Sequence, residues 1–495
     1  MAGTRKLQPS DREFFSDVAR AVFTNPFSDE RAEIDAKIGG GSPREDQDDR
    51  LIRITRRVAE RISQLGADGD ACLNHYSGED RDVLAFTFLF DGHHRCRDPF
   101  DKLISEQIAA GEAACQLPFA KDALDLLERR GFSPEEALRD FGLFYQIRRG
   151  SYFIGHALVG DSPSMKELRL NLWNNIFTKD IRWYNRYLWN RMEDFSTLLL
   201  GETGTGKGSA ATAIGRGGFI PFDPKRGCFE ESFTRTFVSL NLSQFPETLI
   251  ESELFGHEKG AFTGAVEPHQ GVFASCSPHG SIFLYEIGEV SVPVQIKLLQ
   301  VVQERVFTPV GSHEEKRFRG RVISATNKTL TKLRGEGLFR NDFFYRLCSD
   351  QITVPPLRQR IAEEPRELEL LVRHTLRRTL GEDAPEMVDL VMTAVDKVLG
   401  SDYPWPGNVR ELEQCVRRIL LKGYYEGDQE SMSTDLRRQL FNKIDTEGLD
   451  ASGLVEAYCT LLYRRHGSYE HVARLTNHDR RTVKKYVTNW EECAS

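Results

Sequence analysis

The chain is predicted to be an α/β protein: a parallel sheet with helices on its faces, a helical N-terminal region, a helical lid and a C-terminal helix-turn-helix. Three observations predict this. Short apolar runs at Thr197 to Leu200, Phe237 to Leu240, Ile282 to Leu284 and Val322 to Ser324 alternate with segments at helical spacing. A glycine-rich turn ending in Gly-Lys joins the first run to a helix-forming stretch. Basic side chains crowd the last helix.

At 495 residues the chain is too long for one core. Four stretches differ in texture. Residues 1–158 mix charged and apolar residues at helical spacing, as in DRLIRITRRVAERISQL, and read as a mostly helical domain, to which the resemblance drawn below gives a regulatory role. Residues 159–357 carry the strand and helix alternation, 358–430 read as a helical lid, and 431–495 form a short, increasingly basic helical end. Apolar residues make up 40% and charged residues 28%, with a net charge of -8, which suits a soluble protein and confines nucleic-acid contacts to a local basic patch. No apolar run reaches the roughly 18 residues that span a bilayer. The opening MAGTRKLQPSDREFF lacks the core of a secretion signal, and the nine cysteines show no paired spacing, so a cytoplasmic protein without a membrane partner is expected. Cys72, His75, His93, His94 and Cys96 fit no zinc spacing and read as ordinary structural residues.

The turn is Gly201-Glu202-Thr203-Gly204-Thr205-Gly206-Lys207, followed by Gly208 and Ser209. Such a loop aims backbone N–H groups at phosphate oxygens while the lysine reaches the outer phosphates, so ATP is the expected cofactor. Gly208 stands where a Ser or Thr hydroxyl usually meets Mg2+, and Ser209 is the nearest substitute. Further on, the strand Ser281-Ile282-Phe283-Leu284-Tyr285 ends in Glu286, an acid suited to polarising an attacking water. Tyr285 occupies the place of the usual Mg2+-holding Asp, so Mg2+ is an expected cofactor without a certain protein ligand.

Glu251 to Ala265 resembles the signature loop of sigma-54-dependent transcription activators, bacterial enhancer-binding members of the AAA+ ATPases. Its most specific part is Gly260-Ala261-Phe262-Thr263-Gly264-Ala265, where glycines flank an exposed Phe262-Thr263 pair. The resemblance runs from about 159 to 425 and resumes at the C-terminal end. It implies that the hexapeptide contacts sigma-54 RNA polymerase. It also implies that Asn241 hydrogen-bonds the catalytic Glu286, that Asn327 senses the terminal phosphate, and that Arg410 touches nucleotide from the same chain. Arg340 and Arg346 would reach the nucleotide of the next subunit in a homo-oligomeric ring, a hexamer or heptamer, stabilising charge on the transferring phosphate beside Lys207. Two segments, between Lys207 and Asn241 and from Asn175 to Asp194, are longer than the family's and are expected to loop out from the core.

At the C-terminal end, a helix to about Arg465, a second from Tyr469 to Leu475 and a third from Asp479 to about Val487 make a helix-turn-helix. Ala473 permits close approach and Val483 faces inward. Arg480, Arg481, Thr482, Lys484 and Lys485 then face double-stranded DNA, an upstream enhancer by resemblance. The function expected is a sigma-54-dependent regulator that uses ATP hydrolysis to remodel polymerase for promoter opening. The alternative is a nucleotide-binding, hydrolysis-poor DNA-binding regulator or scaffold, which Tyr285 favours.

Overall fold

A computed structural model describes residues 5–66, 71–335, 339–400, 403–427 and 450–493. The chain divides into two compact units. The first runs to His374 and includes Gly407–Val409; the second comprises Thr375–Pro406 and everything from Arg410.

The first unit holds a five-stranded parallel sheet: β1 Thr197–Leu200, β2 Phe237–Asn241, β3 Ser281–Tyr285, β4 Arg321–Thr326 and β5 Asp350–Thr353, in the spatial order β2-β3-β4-β1-β5. The first four strands carry the apolar runs, whereas β5, Asp-Gln-Ile-Thr, is not among them; both faces of the sheet are covered, which is why the runs do not alternate with polar residues. Leu199 pairs with Ala325, Leu284 with Ser324, and Asn241 with Tyr285. Because every strand is parallel, their C-terminal ends share one edge, where open α/β sheets build ligand sites.

The N-terminal helices are not detached from this sheet. Ser133 and Glu136 form a capping box that starts the long helix Pro134–Ala157. One face of that helix packs on Lys207–Arg216, the helix that follows the glycine-rich turn. Gln146 donates to the Gly217 carbonyl (2.9 Å), and Arg149 donates to the carbonyls of Arg216 (2.6 Å) and Gly218 (2.7 Å). Arg149 thereby satisfies carbonyls left over at a helix C-terminus. Its guanidinium lies over the Tyr145 ring, and burial pushes its pKa down to about 10.

The segment between Lys207 and Asn241 does not loop out as expected. Its hairpin, Phe222–Asp223 with Cys228–Phe229, buries Phe222, Cys228, Phe229 and Phe233, and Phe229 stacks on Tyr145 at 4.1 Å. A row of phenylalanines spaced for a strand pair is costly to leave in water, and the N-terminal helices supply its apolar partner. The segment from Asn175 to Asp194 is divided: Tyr184 is fully buried and bonded to Gln146, while Trp183 and Tyr187 are exposed.

In the second unit, Glu411 accepts hydrogen bonds from the hydroxyls of Tyr403 and Tyr425. Its C-terminal part is three helices, Ala451–His466, Tyr469–Thr476 and Arg480–Cys493, around Cys459, Val472, Val483 and Val487. The last helix continues past the expected end at Val487 because Trp490, one turn further, is also buried against the first helix. The helical expectation for 431–449 lies outside the described residues.

Candidate nucleotide site and signature loop

The glycine-rich turn sits at the end of β1 and opens the helix Lys207–Arg216. Lys207 is buried, and its ammonium donates to the carbonyls of Gly201 (2.7 Å) and Glu202 (2.9 Å). Thr205 donates to the Glu202 carbonyl (2.9 Å), which closes the turn. Around it stands a clamp that sequence reading missed. Arg358 makes a two-pronged ion pair with Glu202 (2.6 and 2.7 Å). Buried Asn408 donates to the Glu202 carboxylate (3.2 Å) and the Thr203 carbonyl (3.0 Å). Asn408 also accepts the Leu357 N–H at 2.8 Å. The available signal was Asn408 in the Trp-Pro-Gly-Asn run, though nothing local indicates that it reaches a turn two hundred positions earlier.

Neighbouring strands bring the next groups. Glu286, at the end of β3, adopts a left-handed backbone (φ 54°) and accepts the backbone N–H of Asn327 at 3.3 Å. The Asn327 side chain donates to the Thr203 hydroxyl at 3.3 Å, so one residue touches both the acid and the turn. The expected bond between Asn241 and Glu286 is absent. Asn241 instead accepts from the backbone N–H (3.2 Å) and hydroxyl (2.9 Å) of Ser243, capping the short helix Leu242–Gln244. The register explains this: Asn241 lies opposite Tyr285, one residue before the acid.

The two departures noted in the sequence prove to be one feature. A methyl group built on Gly208 would collide with the Tyr285 hydroxyl and stand 3.3 Å from the ring carbon bearing it. The phenol therefore fills the volume above Gly208, with its ring 4.0 Å from that of Phe283. Ser209 lies one residue along the helix, about 100° around its axis, and cannot point where a side chain at 208 would. A hard cation such as Mg2+ favours carboxylate and hydroxyl oxygens, whereas this position offers a phenol in place of the carboxylate. The residues present do not fit a protein-held Mg2+.

Arg340 immediately precedes the short helix Asn341–Leu347 and Arg346 lies in its last turn, and both are exposed. Arg340 pairs with Asp342 (2.8 Å), which holds the Asp342 carboxyl below its ordinary pKa. Arg410 is exposed in the first turn of the helix Asn408–Lys422, in the second unit.

The signature loop is a compact turn. The Gly260 N–H donates to the Ala265 carbonyl (2.8 Å), and Ala265 donates back to Phe262 (3.0 Å). Gly260 (φ 82°) and Gly264 (φ 105°) occupy left-handed backbone that other residues adopt only at a cost. Phe262 and Thr263 are exposed at the tip, with the Phe262 ring edge-on to His257. A second loop braces the first: Glu258 donates to the Val310 carbonyl (3.0 Å), and a methyl on Gly311 would meet Ala261 at 2.7 Å. At the C-terminal end, Arg480, Arg481, Lys484 and Lys485 are exposed and Thr482 is half-buried, on the face away from Val483.

A parallel sheet with a glycine-rich turn after the interior strand β1, an acid on the second strand over and an asparagine between them defines a P-loop nucleotide-binding domain. Its kind is given by comparison: residues 183–353 match the Sigma-54 interaction domain and residues 362–449 the AAA+ ATPase lid domain. Over those residues the chain is similar to AAA+ proteins that carry a sigma-54 interaction domain. It is 34% identical over 304 residues to Regulatory protein AtoC of Escherichia coli (strain K12), covering 61% of this chain and 58% of that protein. It is 38% identical over 275 residues to the Nif-specific regulatory protein of Azotobacter vinelandii, covering 54% and 45%. The chain spans about half the length of these curated relatives. Among solved structures, NtrX from Brucella abortus in complex with ADP aligns at 19% identity over 76% of this chain and 80% of that one, with a TM-score of 0.41. Among the described residues, no helix is long and apolar enough to cross a membrane.

Proposed function

We propose that the chain is a sigma-54-dependent transcription regulator that binds upstream double-stranded DNA, forms a homo-oligomeric ring and uses ATP to drive a loop against sigma-54 RNA polymerase. The observation that carries this reading is the tip itself. Phe262 and Thr263 project between two left-handed glycines, on a domain that also bears a P-loop. An exposed aromatic at a glycine-hinged tip is suited to a partner and to movement.

The chemistry rests on this chain's own groups. Arriving phosphates replace the carbonyls of Gly201 and Glu202 as acceptors for Lys207. Water attacks the terminal phosphorus, its proton passes to Glu286, and the bond from that phosphorus to the bridging oxygen breaks, leaving ADP and phosphate. Asn327, bonded to both Glu286 and Thr203, registers the loss of the terminal phosphate. Arg340 and Arg346, exposed on their short helix, serve the neighbouring subunit's nucleotide, and Arg410 the nucleotide of its own chain. No step is assigned to a protein-held Mg2+, and Tyr285 makes hydrolysis slower than an aspartate there would. The basic face from Arg480 to Lys485 enters the major groove, where its cations also neutralise phosphates.

The test is Thr263→Ala in transcription from a sigma-54 promoter with purified holoenzyme. ATPase activity is expected to stay within about twofold while promoter opening is lost; full transcription from the variant would defeat the assignment.

A further inference from the structure

The N-terminal helices enclose a cleft of about 470 Å³, a size suited to one small organic molecule. Its walls are aromatic: Phe23, Phe86, Phe90, Phe144 and Trp173 all line it, with Phe23 and Phe86 edge to face at 4.4 Å. Four lining residues carry solvent-excluded polar atoms without a hydrogen-bond partner: Nδ1 of His93 and of His94, Oδ1 of Asp140 and Nε of Arg97. That Asp140 oxygen lies 3.9 Å from Arg139 in an ion pair, beyond hydrogen-bond distance, and Asn185 approaches the same carboxyl. Buried polar atoms normally find a partner, and this concentration in one apolar cleft points to a ligand that supplies it.

Charge narrows the ligand's class. Four arginines line the cleft, and each already has its own carboxylate: Arg31 with Asp35 (2.7 Å), Arg97 with Asp48 (2.7 Å), Arg148 with Asp101 (2.8 Å) and Arg182 with Asp180 (2.6 Å). With Asp140 facing Arg139, the lining guanidinium and carboxylate groups each have an opposite charge, so an ion of either sign would be buried without a counter-charge of its own. Burial and these arginines also hold both imidazoles neutral, with His93 lowered to about 3. What remains is Nδ1 of two neutral imidazoles, each an acceptor in the tautomer that keeps its proton on Nε2, with one carboxylate oxygen and the single N–H of Arg97 Nε, a set weighted toward accepting hydrogen bonds from an uncharged molecule.

We infer that this cleft is a binding site for a small uncharged aromatic molecule carrying a hydrogen-bond donor. It is placed on the helix Pro134–Ala157: Phe144, Ile147, Arg148, Ser151 and Gly155 line the cleft on one face, while Gln146 and Arg149 on the other grip the end of the nucleotide-turn helix. The inference concerns binding alone and does not depend on the polymerase reading.

The experiment is calorimetric titration of the full chain with benzyl alcohol and indole, beside toluene (no donor), benzoate (anion) and benzylamine (cation). Benzyl alcohol and indole are expected to bind at least tenfold more tightly than the other three. Gly155 lies at the exposed rim, and a Cβ there meets nothing within 4 Å, so Gly155→Phe sets a ring at the mouth from an open position. That variant is expected to abolish binding while ATP affinity is unchanged. Asp140→Leu is expected to weaken benzyl alcohol tenfold and leave toluene unaltered. Binding of none of the probes, a preference for benzoate or benzylamine, or undiminished binding by Gly155→Phe would each overturn the inference.

Discussion

The pairing of Gly208 with Tyr285 makes a quantitative prediction. In the native background, Gly208→Ser drives a Cβ into the Tyr285 hydroxyl, and overpacking of this kind costs about 1–3 kcal/mol. Against that, replacing a glycine inside the helix Lys207–Arg216 recovers roughly 0.5–1 kcal/mol of backbone entropy. The single variant is therefore destabilised by about 1 kcal/mol. With Tyr285→Asp in place the obstruction is gone, and the same serine becomes mildly stabilising. The coupling between the two positions is thus about 2 kcal/mol, well beyond the roughly 0.3–0.5 kcal/mol within which independent sites add. Thermal unfolding of the native chain, both single variants and the double variant closes the cycle. The same four proteins, titrated with ATP in magnesium and in chelator, report the consequence. The native chain should bind ATP nearly alike in both, whereas the double variant, regaining a carboxylate and a hydroxyl, should hydrolyse ATP faster as magnesium rises. Additive stabilities, or native hydrolysis as dependent on magnesium as the double variant's, would refute the reasoning.

Three further outcomes follow from the structure. Arg149→Met strips two helix-end carbonyls of their donor, and part of that loss is offset because a buried charge disappears. A net destabilisation of about 2 kcal/mol is expected, measured as a lower Tm. Asp140 is pushed up to about 6 by burial, so the folded chain holds its proton where the unfolded chain has lost it. Stability is then drawn down as pH rises from about 4 to 6, and Asp140→Asn should gain about 3 kcal/mol over the native chain across that interval in denaturation at each pH. The reverse trend would contradict a raised pKa. Removing residues after 452 should eliminate site-specific DNA binding in a mobility-shift assay and spare ATP binding, since the helices packed on Val472, Val483 and Val487 form their own cluster.

What was legible in the sequence was short-range. The glycine-rich turn between Leu200 and Lys207, the apolar runs of the first four strands, the glycine-bounded Phe262 and the small Ala473 before inward-facing Val483 each declare themselves within a few residues, because backbone conformation and periodicity are local properties. The absence of the usual hydroxyl at 208 and aspartate at 285 could likewise be read off, each by itself. That these two absences are one contact was decided by the sheet, which sets β3 near the nucleotide-turn helix. Tertiary structure also decided the partner of Asn241, the grip of Arg358 and Asn408 on Glu202, the docking of the Phe222 hairpin and the aromatic cleft that gathers His93, His94 and Asp140. Each joins positions far apart in the chain. Their meeting is set by burial of apolar faces, which is indifferent to sequence separation and leaves no periodicity to read.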